Sequence, residues 1–242
     1  MSSELENLMS LRTHQLDMPQ LHQKFVAQNE FIAVENFLPA AWLEKVLATL
    51  PGLESRVHRN FVPRHKKGGS VSRFDLDAHA PAFAELYRSP ALIGFLGALT
   101  GQRLLECPGN DPHTYALYYY TEAGDHIGYH YDTSYYKGAR YTILVGLVDH
   151  SSCKLEYQLY KDDPAQPTRE EAISLSPGML VVFNGDKLYH RVTPSAEGER
   201  RVALTLEYVT SPQMNPFKRF VSNMKDAIAY FGFRQVFRPG GR

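Results

Sequence analysis

Cysteine is scarce: Cys107 and Cys153 are the only two in 242 residues. That is too few for a disulfide framework or a cysteine-rich zinc cage, and both are expected as buried thiols. An excess of charge is also lacking, with 26 basic against 26 acidic side chains. Phosphate-backbone binding needs a basic surplus that survives counterion competition, so nucleic acid is not expected as a partner. No apolar run approaches the roughly 20 residues of a membrane helix; the longest candidate, Ala91 to Thr100, is interrupted by Gly94 and Gly97. The N-terminal Met-Ser-Ser-Glu-Leu-Glu has neither the basic region nor the apolar core of a secretory signal, so a cytoplasmic location is expected. Internal repeats, low-complexity tracts and a Pro/Gly/Ser linker are missing as well. The chain therefore reads as one domain over residues 1–242, with a helical support region (1–102), a central core (103–210) and a C-terminal helix and tail (211–242).

The first 30 residues are polar and suggest loosely packed helix. A strand is predicted over Phe31 to Phe37 and an amphipathic helix from Pro39 to about Leu50, where Trp42, Val46 and Leu50 recur at helical spacing. Short helices follow over Pro81 to Tyr87 and Pro90 to Thr100. The period then drops to two. Strands are predicted over Thr114 to Tyr120, Gly128 to Asp132, Arg140 to Val148, Leu155 to Tyr160, Met179 to Phe183, His190 to Val192 and Arg200 to Val209. Short strands at this spacing predict a mainly β fold with flanking helices, built as an antiparallel sandwich or barrel. A last helix is predicted over Pro216 to Tyr230, with Phe220, Met224 and Ile228 packed inward. The cations between Arg56 and Arg73 read either as a solvated mobile loop or as a lid that recognises an anionic group.

Chemistry concentrates in two places. His130-Tyr131-Asp132 lies in a predicted strand, where residues two apart share a face. A third ligand is available in His190, which follows the apolar Gly178-Met-Leu-Val-Val-Phe-Asn-Gly185 strand and its turn. Two imidazoles and a carboxylate suit non-haem Fe(II) oxygen chemistry, although zinc would use the same atoms. In the final strand, Arg200 shares a face with Val202, Leu204, Leu206 and Tyr208. That apolar face is expected to point inward, so the guanidinium needs an anionic partner such as a ligand carboxylate; the alternative is that it snorkels to water from the strand end.

Taken together, His130-x-Asp132, His190 within Leu-Tyr-His-Arg-Val-Thr-Pro, and Gly198-Glu-Arg200 resemble the Fe(II)/2-oxoglutarate-dependent dioxygenases of the prolyl-hydroxylase-like group. The resemblance runs from about Tyr118 to Tyr208. It implies a double-stranded β-helix, the jelly-roll or cupin-like barrel, with iron held by His130, Asp132 and His190 and the distal carboxylate of 2-oxoglutarate held by Arg200. It further implies that Tyr120 and Thr142 lie beside the co-substrate, with Tyr118 on the same face as Tyr120.

The implied reaction uses Fe(II), 2-oxoglutarate and O2, and couples loss of CO2 and formation of succinate to hydroxylation of an unactivated C–H bond. Related halogenases carry Gly or Ala where Asp132 stands, which frees a position for halide, so the carboxylate favours hydroxylation. Desaturation, cyclisation or halogenation on the same scaffold, or a non-catalytic metal-binding jelly roll, are the competing readings. The substrate is expected to be a small polar metabolite such as a free or derivatised amino acid. Its contacts are expected from Ser134 and Tyr135 in the Thr133–Lys137 loop, from Arg73 in the basic stretch, and from the C-terminal segment with Arg234 and Arg238.

Overall fold

The structure is a computed structural model that describes residues 3–108, 111 and 113–214. The predicted helix over 216–230, with Phe220, Met224 and Ile228, and the candidates Arg234 and Arg238 lie outside the described residues.

The N-terminal part is mainly helical. Helices α1 (Ser3–His14) and α2 (Met18–Ala27) are followed by strand β1 (Phe31–Val34), α3 (Ala40–Leu47), α4 (Leu50–Leu53) and a 3-10 turn at Glu54–Arg56. The single helix expected from Pro39 to Leu50 is thus split into α3 and α4. Next come strands β2 (His58–Val62) and β3 (Lys66–Ser72), then α5 (Arg73–His79), α6 (Ala82–Tyr87) and α7 (Pro90–Thr100). Helix α7 begins as its sequence dictates: Ser89 accepts the Leu92 N–H at 3.2 Å and Pro90 occupies the first turn. Glu6 of α1 reaches that same terminus, accepting from Ser89 Oγ and from the Ala91 N–H at 2.7 Å each. With His22 of α2 also 2.8 Å from the Leu99 carbonyl, α1 and α2 are docked on α7 rather than loosely attached.

The remaining strands are β4 (Leu105–Glu106), β5 (Tyr115–Tyr120), β6 (His126–His130), β7 (Arg140–His150), β8 (Leu155–Leu159), β9 (Arg169–Ile173), β10 (Leu180–Asn184), β11 (Tyr189–Val192) and β12 (Arg200–Val209). They form one antiparallel sheet in the order β1-β10-β7-β12-β5-β3-β6-β11-β8-β9, with β2 on β3 and β4 on β12. The sheet curls back on itself. Leu155, Tyr157 and Leu159 of β8 pack against Val181 and Phe183 of β10 and Phe31 of β1, where Phe31 and Tyr157 stack at 4.1 Å. This curled, mainly β arrangement with flanking helices is the expected jelly-roll fold.

Strand β12 shows how the layers divide. Val202, Leu204, Leu206 and Tyr208 join the large core that the helices cover, whereas Arg201, Ala203, Thr205 and Glu207 line a cavity inside the curl. The apolar face of the strand thus points to the helices. Both faces are buried, and only the inner one carries chemistry.

The basic segment is not a loop. It forms the β2–β3 hairpin, with β3 inserted between β5 and β6. Its glycines allow close packing: a Cβ on Gly69 would lie 2.4 Å from Val57 Cγ1 and 3.3 Å from Tyr119 Cβ. Its cations have partners distant in sequence. Arg59 donates two hydrogen bonds to Asp125, at 2.9 and 2.6 Å, and Lys67 donates to the Ala123 carbonyl at 2.7 Å.

Candidate metal centre and cavity

The cavity inside the curl measures about 430 Å³. His130, Asp132 and His190 meet in its wall, with one ligand atom from each lying within 4.8 Å of the others. His130 and His190 are register partners on β6 and β11. Strand β6 ends at His130, so Asp132 approaches from the extended segment beyond it rather than from an alternate strand position.

Each histidine is oriented by its own backbone. Nδ1–H of His130 donates to the Gly128 carbonyl at 2.8 Å, and that of His190 to the Leu188 carbonyl at 3.0 Å. Both rings therefore direct Nε2 at Asp132, at 3.3 Å from Oδ1 and 3.8 Å from Oδ2 respectively. A neutral imidazole fixed in this tautomer is a metal ligand in waiting. Burial and then the charge of His130 push the His190 imidazole down to about 4, which keeps it unprotonated at neutral pH. Burial opposes charge on His130 too, but its hydrogen bond and ion pair with Asp132 raise its pKa. Burial alone would raise the Asp132 carboxyl; the His130 hydrogen bond, the two facing imidazoles and the Arg140 guanidinium instead hold it well below the usual carboxylate range. The donor set fits a divalent iron, with nitrogen and oxygen ligands on one side of the ion.

Of the adjacent arginines Arg200 and Arg201, it is Arg201 that lines this cavity. Arg200 leaves β12 on the opposite face, is 40% exposed and pairs with Glu54 at 2.8 Å. Arg201 is 2% exposed and sits over the Tyr120 ring at 4.9 Å. Its Nε and Nη1 are buried without a hydrogen-bond partner. The expectation for Arg200 is corrected accordingly: the apolar face it shares packs under helices, and its neighbour faces the cavity. Leaving buried donors of a charged group unmet costs about 1–3 kcal/mol each, a cost that an anion in the cavity would offset.

Tyr118 and Tyr120 both line the cavity as expected, opposite Ala203 and Arg201 on β12. Burial pushes the Tyr120 phenol up to about 12, against the opposing charge of Arg201, so it stays neutral. Thr142 does not line the cavity. It lies behind the metal triad, fully buried, and donates to Asp132 Oδ2 at 2.9 Å.

Of the expected substrate contacts, Tyr135 lines the cavity and Ser134 and Arg73 do not. The Ser134 N–H donates to Asp186 at 2.8 Å. Arg73 is the buried first residue of α5, where it donates to Thr114 at 3.0 Å and pairs with Asp77 at 3.7 Å. His65, from the basic stretch, does line the cavity, and residues that sequence reasoning missed, His113, Arg140, Thr205 and Glu207, add to the polar lining. Arg140 donates Nε–H to Glu207 at 2.8 Å. Burial outweighs that attraction and pushes the Glu207 carboxyl up to about 7. The available signal was alternation itself, since Arg201, Ala203, Thr205 and Glu207 share one face.

A family model described as Halogenase D matches residues 13–138, a little over half the chain and a segment that includes His130 and Asp132. The chain belongs to the Halogenase D family. No curated protein matches the sequence. Among solved structures, this Halogenase D member is similar to the non-haem α-ketoglutarate-dependent epimerase SnoN from nogalamycin biosynthesis, with a TM-score of 0.66 and 15% identity over 84% of this chain and 86% of that one. It is also similar to a prolyl hydroxylase from Trichoplax adhaerens in complex with a hypoxia-inducible-factor peptide, with a TM-score of 0.63 and 16% identity over 87% and 94% of the two chains. The carbocyclase SnoK, from the same biosynthesis as SnoN, gives a TM-score of 0.64 at 13% identity over 81% and 85%. The shared fold is thus that of the Fe(II)/2-oxoglutarate-dependent oxygenases. Among the described residues, no helix is long and apolar enough to cross a membrane.

Proposed function

We propose that this protein is an Fe(II)/2-oxoglutarate-dependent oxygenase that hydroxylates a C–H bond of a small polar metabolite, a free or derivatised amino acid. The observation that carries the reading is Asp132. Its carboxylate faces both histidines and accepts from Thr142, so a complete two-histidine, one-carboxylate set is present in a family described by halogenation. A carboxylate in that place occupies the position a halide would need.

In this reading His130 Nε2, His190 Nε2 and an Asp132 oxygen hold Fe(II), and Arg201 takes the distal carboxylate of 2-oxoglutarate. When bound, iron and 2-oxoglutarate supply the oxygen-activating chemistry, with release of CO2 and succinate. The chain orients and shields. Ile127, Leu155 and Val192 give the co-substrate end apolar walls, which strengthens the charge pairing there by excluding water. At the other end the Arg140–Glu207 pair, His113, Thr205 and Tyr135 offer hydrogen-bonding groups of both signs, which supports a small polar substrate over an apolar one.

The test begins with anaerobic titration of the protein with Fe(II) and then 2-oxoglutarate, following the visible charge-transfer band of the chelate. An amino-acid and metabolite screen scored by succinate release follows, with products weighed after reaction in chloride-containing buffer under isotopic O2. A product heavier by one labelled oxygen supports hydroxylation. A chlorinated product overturns it, as does one that has lost two hydrogens, and no chelate band in the wild type removes the co-substrate assignment itself.

A further inference from the structure

At the end of the cavity away from Arg201, Arg140 carries an edge that neither the metal triad nor the co-substrate reading uses. Arg140 opens β7, lines the cavity and is 9% exposed. Its Nε–H donates to Glu207 at 2.8 Å, which fixes the guanidinium at one corner. Nη1 and Nη2 bond to no described residue. Unlike Nε and Nη1 of Arg201, they are not fully enclosed, so they keep accessible surface on the wall of the cavity. A guanidinium held at Nε with both Nη atoms open presents a fork that matches a carboxylate in bidentate geometry.

The acids around Arg140 have no such opening. Glu207 is 3% exposed and meets Arg140 and Thr142, and Asp132 belongs to the metal triad. Asp111 accepts from the Tyr136 hydroxyl and from the His113 N–H at 2.8 Å. Register then places Arg140 in the cavity. Arg201 and Glu207 lie on one face of β12, six residues or about 20 Å of strand apart. Thr142, which meets Asp132, pairs with Glu207, and Arg140 pairs one step further out with Val209. Along β12 the order is Arg201, the level of Asp132, then Arg140. The two arginines therefore stand at opposite ends, and Arg140 faces the half that a ligand held by Arg201 leaves open.

We infer that Arg140 is a specificity-determining residue for the substrate, its Nη1 and Nη2 receiving a free carboxylate while Glu207 holds Nε and aims the fork. The inference rests on the oxygenase reading of the site and narrows its substrate class. A small metabolite with a free acid group, such as an amino acid, is taken in preference to its amide or ester. A carboxylate fixed at Arg140 also turns the rest of the molecule toward the metal triad, because Glu207 is tied through Thr142 to Asp132.

The test is calorimetry on the anaerobic Fe(II)-loaded protein saturated with 2-oxoglutarate, so that the Arg201 end is already filled. The probes are the proteinogenic L-amino acids, each matched with its carboxamide. The tightest acid should bind roughly tenfold or more tightly than its amide. Arg140→Gln should bring that acid down to the level of the amide, a loss of roughly 10- to 100-fold, and leave the amide unchanged. Arg140→Lys should recover only part of the loss, because an ammonium lacks the fork. Arg140→Gln strips Glu207 of its buried partner, so the double variant Arg140→Gln/Glu207→Gln, with both charges gone, should show the same loss of discrimination in a folded protein. A panel in which no acid binds better than its amide overturns the inference. So does a double variant that loses acid and amide alike, or that loses the 2-oxoglutarate chelate band, since Arg140 would then be a structural support. Wild-type protein with no chelate band fails the oxygenase reading instead, so the two failures are distinguishable.

Discussion

The hydroxyl of Thr142 donates to Oδ2 of Asp132 at 2.9 Å and lies 3.0 Å from the Glu207 carboxylate behind it. A hydroxyl has one hydrogen, which Asp132 receives; Glu207, pushed up to about 7 by burial, supplies the matching donor when protonated. The contact orients one oxygen of the carboxylate and leaves the other for a metal. Thr142→Val keeps the shape and removes the donor, and it should lower Fe(II) affinity by roughly 10- to 100-fold. Thr142→Ser should retain most of it. Competitive metal titration against a chromophoric chelator reads both, and an unchanged affinity in the valine variant would assign Thr142 to packing alone.

Gly185 supports the same carboxylate from another side. A Cβ there would lie 2.4 Å from the Asp132 carbonyl oxygen and 2.9 Å from its Cβ, distances that force the Asp132 segment to move. Gly185 is itself fixed, since its N–H donates to the Arg140 carbonyl at 2.8 Å. Gly185→Ala should cost about 1–3 kcal/mol of stability as overpacking, together with a disproportionate loss of metal binding. Co(II) absorption in the visible range, compared with the thermal melt, separates the two effects. A variant with normal Co(II) spectra and affinity would show that the strain is relieved away from the ligand.

Arg200 and Arg201 give opposite expectations from adjacent positions. Arg200→Ala removes an exposed ion pair with Glu54 and should change stability by no more than about 1 kcal/mol, leaving 2-oxoglutarate affinity untouched. Arg201→Ala should weaken 2-oxoglutarate by roughly a hundredfold, the scale of a lost charge-assisted pair in a water-poor site. Calorimetry on both variants decides the matter, and a large effect from Arg200→Ala would reverse the assignment.

That pair of residues also shows where sequence reasoning stops. Alternation along Arg200–Val209 separates two faces correctly, but a strand lined by helices on one side and a cavity on the other is buried on both. The apolar face, which looks like the inside, is the one under the helices. The metal triad was legible from its residue types, an H-x-D pair and a later histidine, even though the shared strand face expected for His130 and Asp132 does not occur, since β6 ends at His130. The β2–β3 hairpin was not, because its glycines and cations lack the β-branched signature of a strand. The reasons for them, Asp125 for Arg59 and Tyr119 for Gly69, lie about 50 or more positions away in the chain. For the same reason nothing in the local pattern marks Lys66, Arg140 and Glu207 as buried.

The hairpin's attachment gives a pH-dependent expectation. Asp125 is fully buried and accepts two hydrogen bonds from Arg59, one from the Thr121 N–H at 2.9 Å and one from the Glu122 N–H at 3.0 Å. Burial would raise its pKa, but the Arg59 hydrogen bonds and the two backbone N–H groups prevail and hold it below its ordinary value of 3.8. A carboxyl depressed in the folded state stabilises fully above its unfolded value and loses that contribution as pH falls through the folded one. Asp125→Asn should therefore cost roughly 3 kcal/mol at neutral pH, the scale of a broken buried pair, and the deficit should shrink as the pH drops below 3.8. Urea unfolding of the two proteins across the acid range measures the gap. A gap independent of pH would mean that the amide fails for reasons of shape, and that the Asp125 charge does not hold β2 and its partner β3 against the turn leading into β6.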